Sequence, residues 1–103
     1  MAESIHELQV EIFKALSHPA RIRILNALRE RKRCACNLAP ELGIEQSNFS
    51  RHISVLKNAG LIRCWKEGVS VFFTLADQRV IDLLDNANEI LKHRIQLHHR
   101  IVV

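Results

Sequence analysis

Apolar residues recur at helical spacing in five stretches of the chain and at alternating spacing in one. In the first stretch Ile5, Leu8, Ile12, Phe13 and Leu16 share one side of a 3.6-residue repeat, which predicts a helix over about residues 4–16. "SHPARIRILNALRE" restarts the repeat, with Ile22, Leu25 and Leu28 as its inner stripe. Pro19 suits the first helical position there, with Ser17 or His18 before it as the cap. The run "RERKR" is too charged for a core and closes that helix. "NLAPELG" predicts a short helix with Leu38 and Leu42 inward and Gly43 as the stop. Pro40 is expected within its first turn, where a missing backbone N–H costs nothing. In "IEQSNFSRHISVLKNAG", Phe49, Ile53 and Leu56 fall at i, i+4 and i+7. Ser47, Arg51 and Ser54 lie roughly opposite, Asn48 and Ser50 lie on the flanks, and Gly60 ends the helix.

The period then changes. "LIRCWK" and "VSVFFTL" flank "EG", a β-hairpin over about residues 61–75 with Gly68 in its turn. Val69, Val71, Phe73 and Leu75 alternate onto one face. Residues 77–100 return to helical spacing, and Val80, Leu84, Ala87, Leu91 and Ile95 form a stripe several turns long. A helix of ~24 residues is about 36 Å long, more than a domain of this size can cover. The surplus stripe is expected to pack on a second copy of the chain, with residues 4–16 as co-partner, in a symmetric homodimer.

Two helices joined by a tight Gly-containing turn (about residues 36–59), followed by a hairpin, make a winged helix-turn-helix. The expected fold is mainly α with a small β-hairpin, as a single domain over residues 1–103, dimeric through its first and last helices. A helix enters the DNA major groove when one side packs on the protein and the other is small and polar. Residues 46–58 divide in that way. Ser47 and Ser50 permit close approach and can bond phosphate. Asn48, Arg51 and His52 can reach base edges, and Lys57 can meet the backbone. Lys66, near the hairpin tip, can reach adjacent phosphates or the minor groove. A dimer sets two such helices about one DNA turn apart and reads an inverted repeat.

Charge sharpens this picture. The net formal charge is +4, but residues 19–66 alone hold ten Lys and Arg against three Glu. The basic charge therefore sits in the middle of the chain, where a polyanionic partner would meet it. The only glycines, Gly43, Gly60 and Gly68, all fall in turns, so no phosphate-cradling loop exists. No nucleophile–base–acid set stands out either, which argues against an enzyme. No apolar run approaches the ~20 residues of a membrane span, and "MAESIHELQV" lacks the basic start and apolar stretch of a secretion signal. A cytoplasmic protein, not bound to membranes, is expected.

"ALSHPARIRILNAL", "LGIEQSNFSRHISVLKNAGLI" and "KEGVSVFFTL" resemble the arsenic-repressor (ArsR/SmtB) family of transcriptional regulators over roughly residues 10–85. The most specific part is the run from Ser47 to Leu61. The resemblance implies a homodimeric winged-helix repressor that leaves its double-stranded operator when an effector binds, often a metal ion. By position, Gln46, Ser47, Asn48, Ser50, Arg51 and His52 would lie on the recognition helix. Two positions depart from the family pattern. Glu45 stands where Ser or Thr often caps the helix, and Val69 stands where Arg often follows the hairpin glycine.

"RCACNL" raises a separate question. The chain has three cysteines, and two of them, Cys34 and Cys36, sit one residue apart behind Arg31, Lys32 and Arg33. These cations favour the thiolate form. Some metal-sensing relatives carry C-x-C, often C-x-C-x-x-C, at this place; here the third position is Ala39. Thiolates select soft ions, so As(III) and Sb(III), then Cd(II) and Pb(II), are the candidate effectors at Cys34 and Cys36. Redox sensing and plain packing are the alternatives. Residues i and i+2 point to nearly opposite sides of a regular helix or strand, so both sulfurs can hold one ion only where the backbone is irregular. Cys64 is expected on the first hairpin strand, whereas the segment before the helix pair is expected to pair with the second, which sets them about two strand spacings apart. Zinc-sensing relatives place Asp-x-His on the last helix, whereas Asp77 is followed by Arg79 here, and His93, His98 and His99 lack the family spacing.

Overall fold

The computed structural model describes residues 4–102, with side chains through residue 97. The chain forms α1 (Ile5–Leu16), α2 (Pro19–Ala27), β1 (Arg33–Cys34), α3 (Ala35–Leu42), α4 (Gln46–Asn58), β2 (Ile62–Glu67), β3 (Ser70–Leu75) and α5 (Arg79–Val102). The three strands make an antiparallel sheet in the order β1-β3-β2. This is a winged helix-turn-helix, mainly helical with a small sheet.

Local chemistry explains the boundaries. Ser4 and Glu7 form a reciprocal capping box at the start of α1. His18 is the cap of α2, its Nδ1 accepting the Ala20 N–H at 3.0 Å, and Pro19 takes the first helical position. Gly43 ends α3 at φ 67°, a left-handed conformation that suits a residue without Cβ. The expectation for Pro40 needs correction. α3 begins at Ala35, so Pro40 is its sixth residue and lies beyond the first turn. Its ring leaves the Cys36 carbonyl without an i+4 donor, and the break falls where Cys36 lies exposed at the surface.

One core joins every helix to the wing. Ile24, Leu25, Leu28, Leu38, Phe49, Leu56, Leu61, Ile62 and Phe73 are each at most 4% exposed. Ile24 joins the predicted α2 stripe, while Ile22 stays half-buried. Phe49 meets Phe73 edge-on with centroids 5.8 Å apart. Among its described side chains, α5 enters this core only with Val80, Ile81 and Leu84. From Asp85 through Leu97 its side chains are exposed, including Ala87, Leu91 and Ile95 of the predicted stripe. Arg29 fixes the start of this exposed run by donating to both oxygens of Asp85, at 2.9 and 3.2 Å.

Candidate nucleic-acid interface and thiol pair

α4 carries the polar face of the candidate interface. Phe49, Ile53 and Leu56 face the core, and Gln46, Ser47, Asn48, Ser50, Arg51 and Lys57 are exposed. Glu45 caps the helix without a side-chain bond to its backbone. Its carboxylate instead accepts the Ser47 hydroxyl at 2.7 Å, so Ser47 must leave that partner before bonding a phosphate. Lys66 is exposed on β2, opposite Val71 and one residue from the strand end. Val69 stands fully exposed at the tip of the wing.

His52 does not belong to that face. It is 9% exposed, with its Nδ1 3.2 Å from the Arg21 guanidinium and its ring 4.4 Å from that of His18. The expectation that it reaches base edges is therefore corrected. Position 52 lies three residues after Phe49 and next to Ile53, inside the buried stripe. A donor 31 residues away makes that burial affordable.

The thiols lie at the other end of the unit. Cys34 ends β1 in an extended conformation, φ −82° and ψ 137°, and caps α3, whereas Cys36 is already helical. This strand-to-helix junction is the irregular backbone that two converging sulfurs require. The Cα atoms are 5.3 Å apart and the sulfurs are paired as a disulfide, within the usual span of such a bond. Cys34 stands opposite Phe72 on β3, and Phe72 stands opposite Trp65 on β2. Cys64 stands opposite Phe73. Side chains alternate along a strand, so Cys34 and Cys64 occupy opposite faces of the sheet as well as outer strands. Cys64 packs against the core, and burial pushes its thiol up, only partly offset by Lys57. It is a poor third ligand within one subunit. Among the described residues no three His, Cys, Asp or Glu side chains gather as a metal site.

A model of the bacterial regulatory protein arsR family matches residues 18–63. The HTH-type transcriptional regulator Rv0081 of Mycobacterium tuberculosis is 37% identical over 91 residues, covering 87% of this chain and 80% of that one. The chain belongs to the ArsR family. A crystal structure of Rv0081 superposes with a TM-score of 0.83 at 35% identity, over 94% of this chain and 98% of that one. The regulator MJ1325 of Methanocaldococcus jannaschii is 36% identical over 82% of this chain and 97% of its own length. Reduced HlyU from Vibrio cholerae matches at 29% identity and a TM-score of 0.71, over 80% of this chain and 90% of that one.

These relatives are regulators of transcription, and the ArsR chain described here is not an enzyme. Three features of its site escape a reading of the sequence. Lys32 ion-pairs Glu67 at 3.2 Å while lying 4.8 Å from the Phe72 ring, which itself stacks on Trp65. That cluster ties the thiol-bearing segment to the wing. Arg33, just before Cys34, ion-pairs Glu41 of α3. On α5, the Arg79 guanidinium and backbone N–H hold the Asp77 carboxyl down at about 2. Arg79 thus occupies the Asp77 carboxylate. His93 is exposed, and the side chains of His98 and His99 lie outside the described residues.

Proposed function

We propose that this ArsR-family regulator is a repressor that binds an inverted-repeat operator as a homodimer and lets go when Cys34 and Cys36 take a soft thiophilic ion. The observation that carries the DNA half is the division of α4 into a buried apolar stripe and an exposed face of Gln46, Ser47, Asn48, Ser50 and Arg51. Asn48 and Arg51 read base edges, and Ser47 and Ser50 approach the phosphates. Lys57 and Lys66 add backbone contacts. The dimer is supported by apolar side chains left open on one protomer: Ile5 and Phe13 of α1, and Ile90 and Ile95 of α5, are 58–71% exposed.

The effector half rests on the convergence of the two sulfurs at the β1–α3 junction. Arsenite and antimonite suit such a pair best, and Cd(II) or Pb(II) follow. A cellular thiol or a residue of the second subunit completes the coordination. Holding both sulfurs on one ion shifts the first turn of α3. α3 packs mainly on β3 and α2, and α4 on α2 and β2, so the shift reaches α4 through the shared core.

A second reading is favoured by the sulfur pairing itself: oxidation of the two thiols to a disulfide, with loss of two protons and two electrons, is the signal. One experiment tests both. In thiol-free buffer, arsenite or cadmium is titrated into the protein–DNA complex, with a parallel series in a thiol oxidant. The reduced wild-type protein is expected to lose affinity about 5- to 150-fold with the ion. The double variant Cys34→Ser, Cys36→Ser keeps its DNA affinity and loses the response. A double variant that the ion still releases would refute the thiol site, and release by oxidant alone would replace the first reading with the second.

A further inference from the structure

The Arg21 guanidinium of α2 reaches three acceptors on two other helices. Its Nε donates to the Ala15 carbonyl at 2.7 Å and its Nη2 to the Lys14 carbonyl at 3.1 Å, at the end of α1. Nη1 lies 3.2 Å from Nδ1 of His52 on α4. Arginine carries only donors. Nδ1 must therefore be the accepting nitrogen, and the proton of the neutral ring sits on Nε2.

We propose that Arg21 and the neutral imidazole of His52 are a positioning pair for DNA recognition, seating α4 against the end of α1, and that protonating His52 unseats the helix and weakens DNA binding. The pair joins a helix with an open apolar face to the helix with the open polar face. His52 directly follows Arg51, so a small displacement of this turn moves a side chain that must meet a base edge with hydrogen-bond accuracy. The proposal rests on the reading of α4 as the DNA-facing helix.

The surroundings suit the neutral ring. His18 and Arg21 face it from α2, the Lys14 backbone shares its arginine from α1, and Arg51 adjoins it on α4. Burial first, then His18, Arg21 and Arg51, lower its proton affinity below the ordinary 6.5. The unfolded chain therefore binds this proton more readily than the folded one. The contribution of the pair is complete above pH 6.5 and fades as pH falls below it.

The test uses an inverted-repeat duplex that the wild-type protein selects from a random-sequence library, with affinity followed at constant ionic strength from about pH 8 to about pH 5. Wild-type affinity is expected to fall roughly tenfold as His52 protonates. His52→Asn keeps an acceptor near the Nδ1 position and should bind like wild type at the upper end, with a flat profile. His52→Leu should bind roughly tenfold more weakly across the range. An asparagine variant that follows the wild-type decline, or a leucine variant that binds like wild type, overturns the proposal. Nitrogen NMR of the folded wild-type protein bypasses the variants: it should show His52 protonated on Nε2 and bare on Nδ1, and the opposite tautomer overturns the pair. Failure to select any duplex at the upper pH removes the DNA reading and the proposal together. A selected duplex with the wrong His52 behaviour removes the proposal alone.

Discussion

Phe49→Ala is expected to lower the unfolding free energy by about 3–5 kcal/mol, the usual cost of emptying a buried aromatic site. Phe49 is 1% exposed and packs edge-on against Phe73 of the wing. It therefore links the helix-turn-helix to the sheet. Domains are stable by only about 5–15 kcal/mol in total, so this single truncation removes a large share. Urea unfolding at fixed protein concentration measures it as a lower midpoint with an unchanged slope. Ser50→Ala, one residue along but on the exposed face, should change stability by less than about 0.5 kcal/mol. A loss below about 1 kcal/mol for Phe49→Ala would mean that the ring is not a central core element.

Ile90→Asp should convert the protein from dimer to monomer. Ile90 is the most exposed large apolar residue among the described side chains of α5, at 71%, and Leu83 and Leu97 continue its row one heptad to either side. An aspartate in the centre of such an interface would bury an unpaired charge, which costs several kcal/mol. The monomer keeps α4 intact but holds only one half-site, so DNA affinity should fall by about 100-fold or more. Sedimentation of wild type and variant at micromolar concentration reads the first effect, and titration of the selected duplex reads the second. A wild-type protein that sediments as a monomer, or a variant that remains dimeric, would remove α5 from the interface.

The repeat of apolar residues made α4 legible because Phe49, Ile53 and Leu56 obey helical spacing and all three are buried. The hairpin was equally plain, its two strands meeting around Gly68 at φ 65°. His52 was not legible as a buried residue. Polar side chains on a recognition helix read as outward, although the spacing of His52 from Phe49 and Leu56 puts it on the inner face, where Arg21 supplies its partner. The start of α3 is hidden in the sequence because β1 is two residues long, too short to leave an alternating pattern, and Cys34 passes directly from strand to cap. That junction overrides the rule that i and i+2 point apart, and it brings the sulfurs together. The surplus stripe of α5 could be read from the sequence, and the protomer leaves it exposed from Asp85 through Leu97.

The central claim is that the exposed face of α4 enters the grooves of duplex DNA, and the salt dependence of binding tests it most directly. Wild-type protein and Arg51→Ala are titrated into the selected inverted-repeat duplex over a range of salt concentrations. Wild-type affinity should fall linearly on a log–log plot, with a slope set by the phosphates that its Lys and Arg neutralise. Arg51→Ala should cost about 1–3 kcal/mol and relax the sequence preference at its own position in each half-site. Binding without salt dependence, or an Arg51→Ala variant with wild-type affinity and preference, would contradict it.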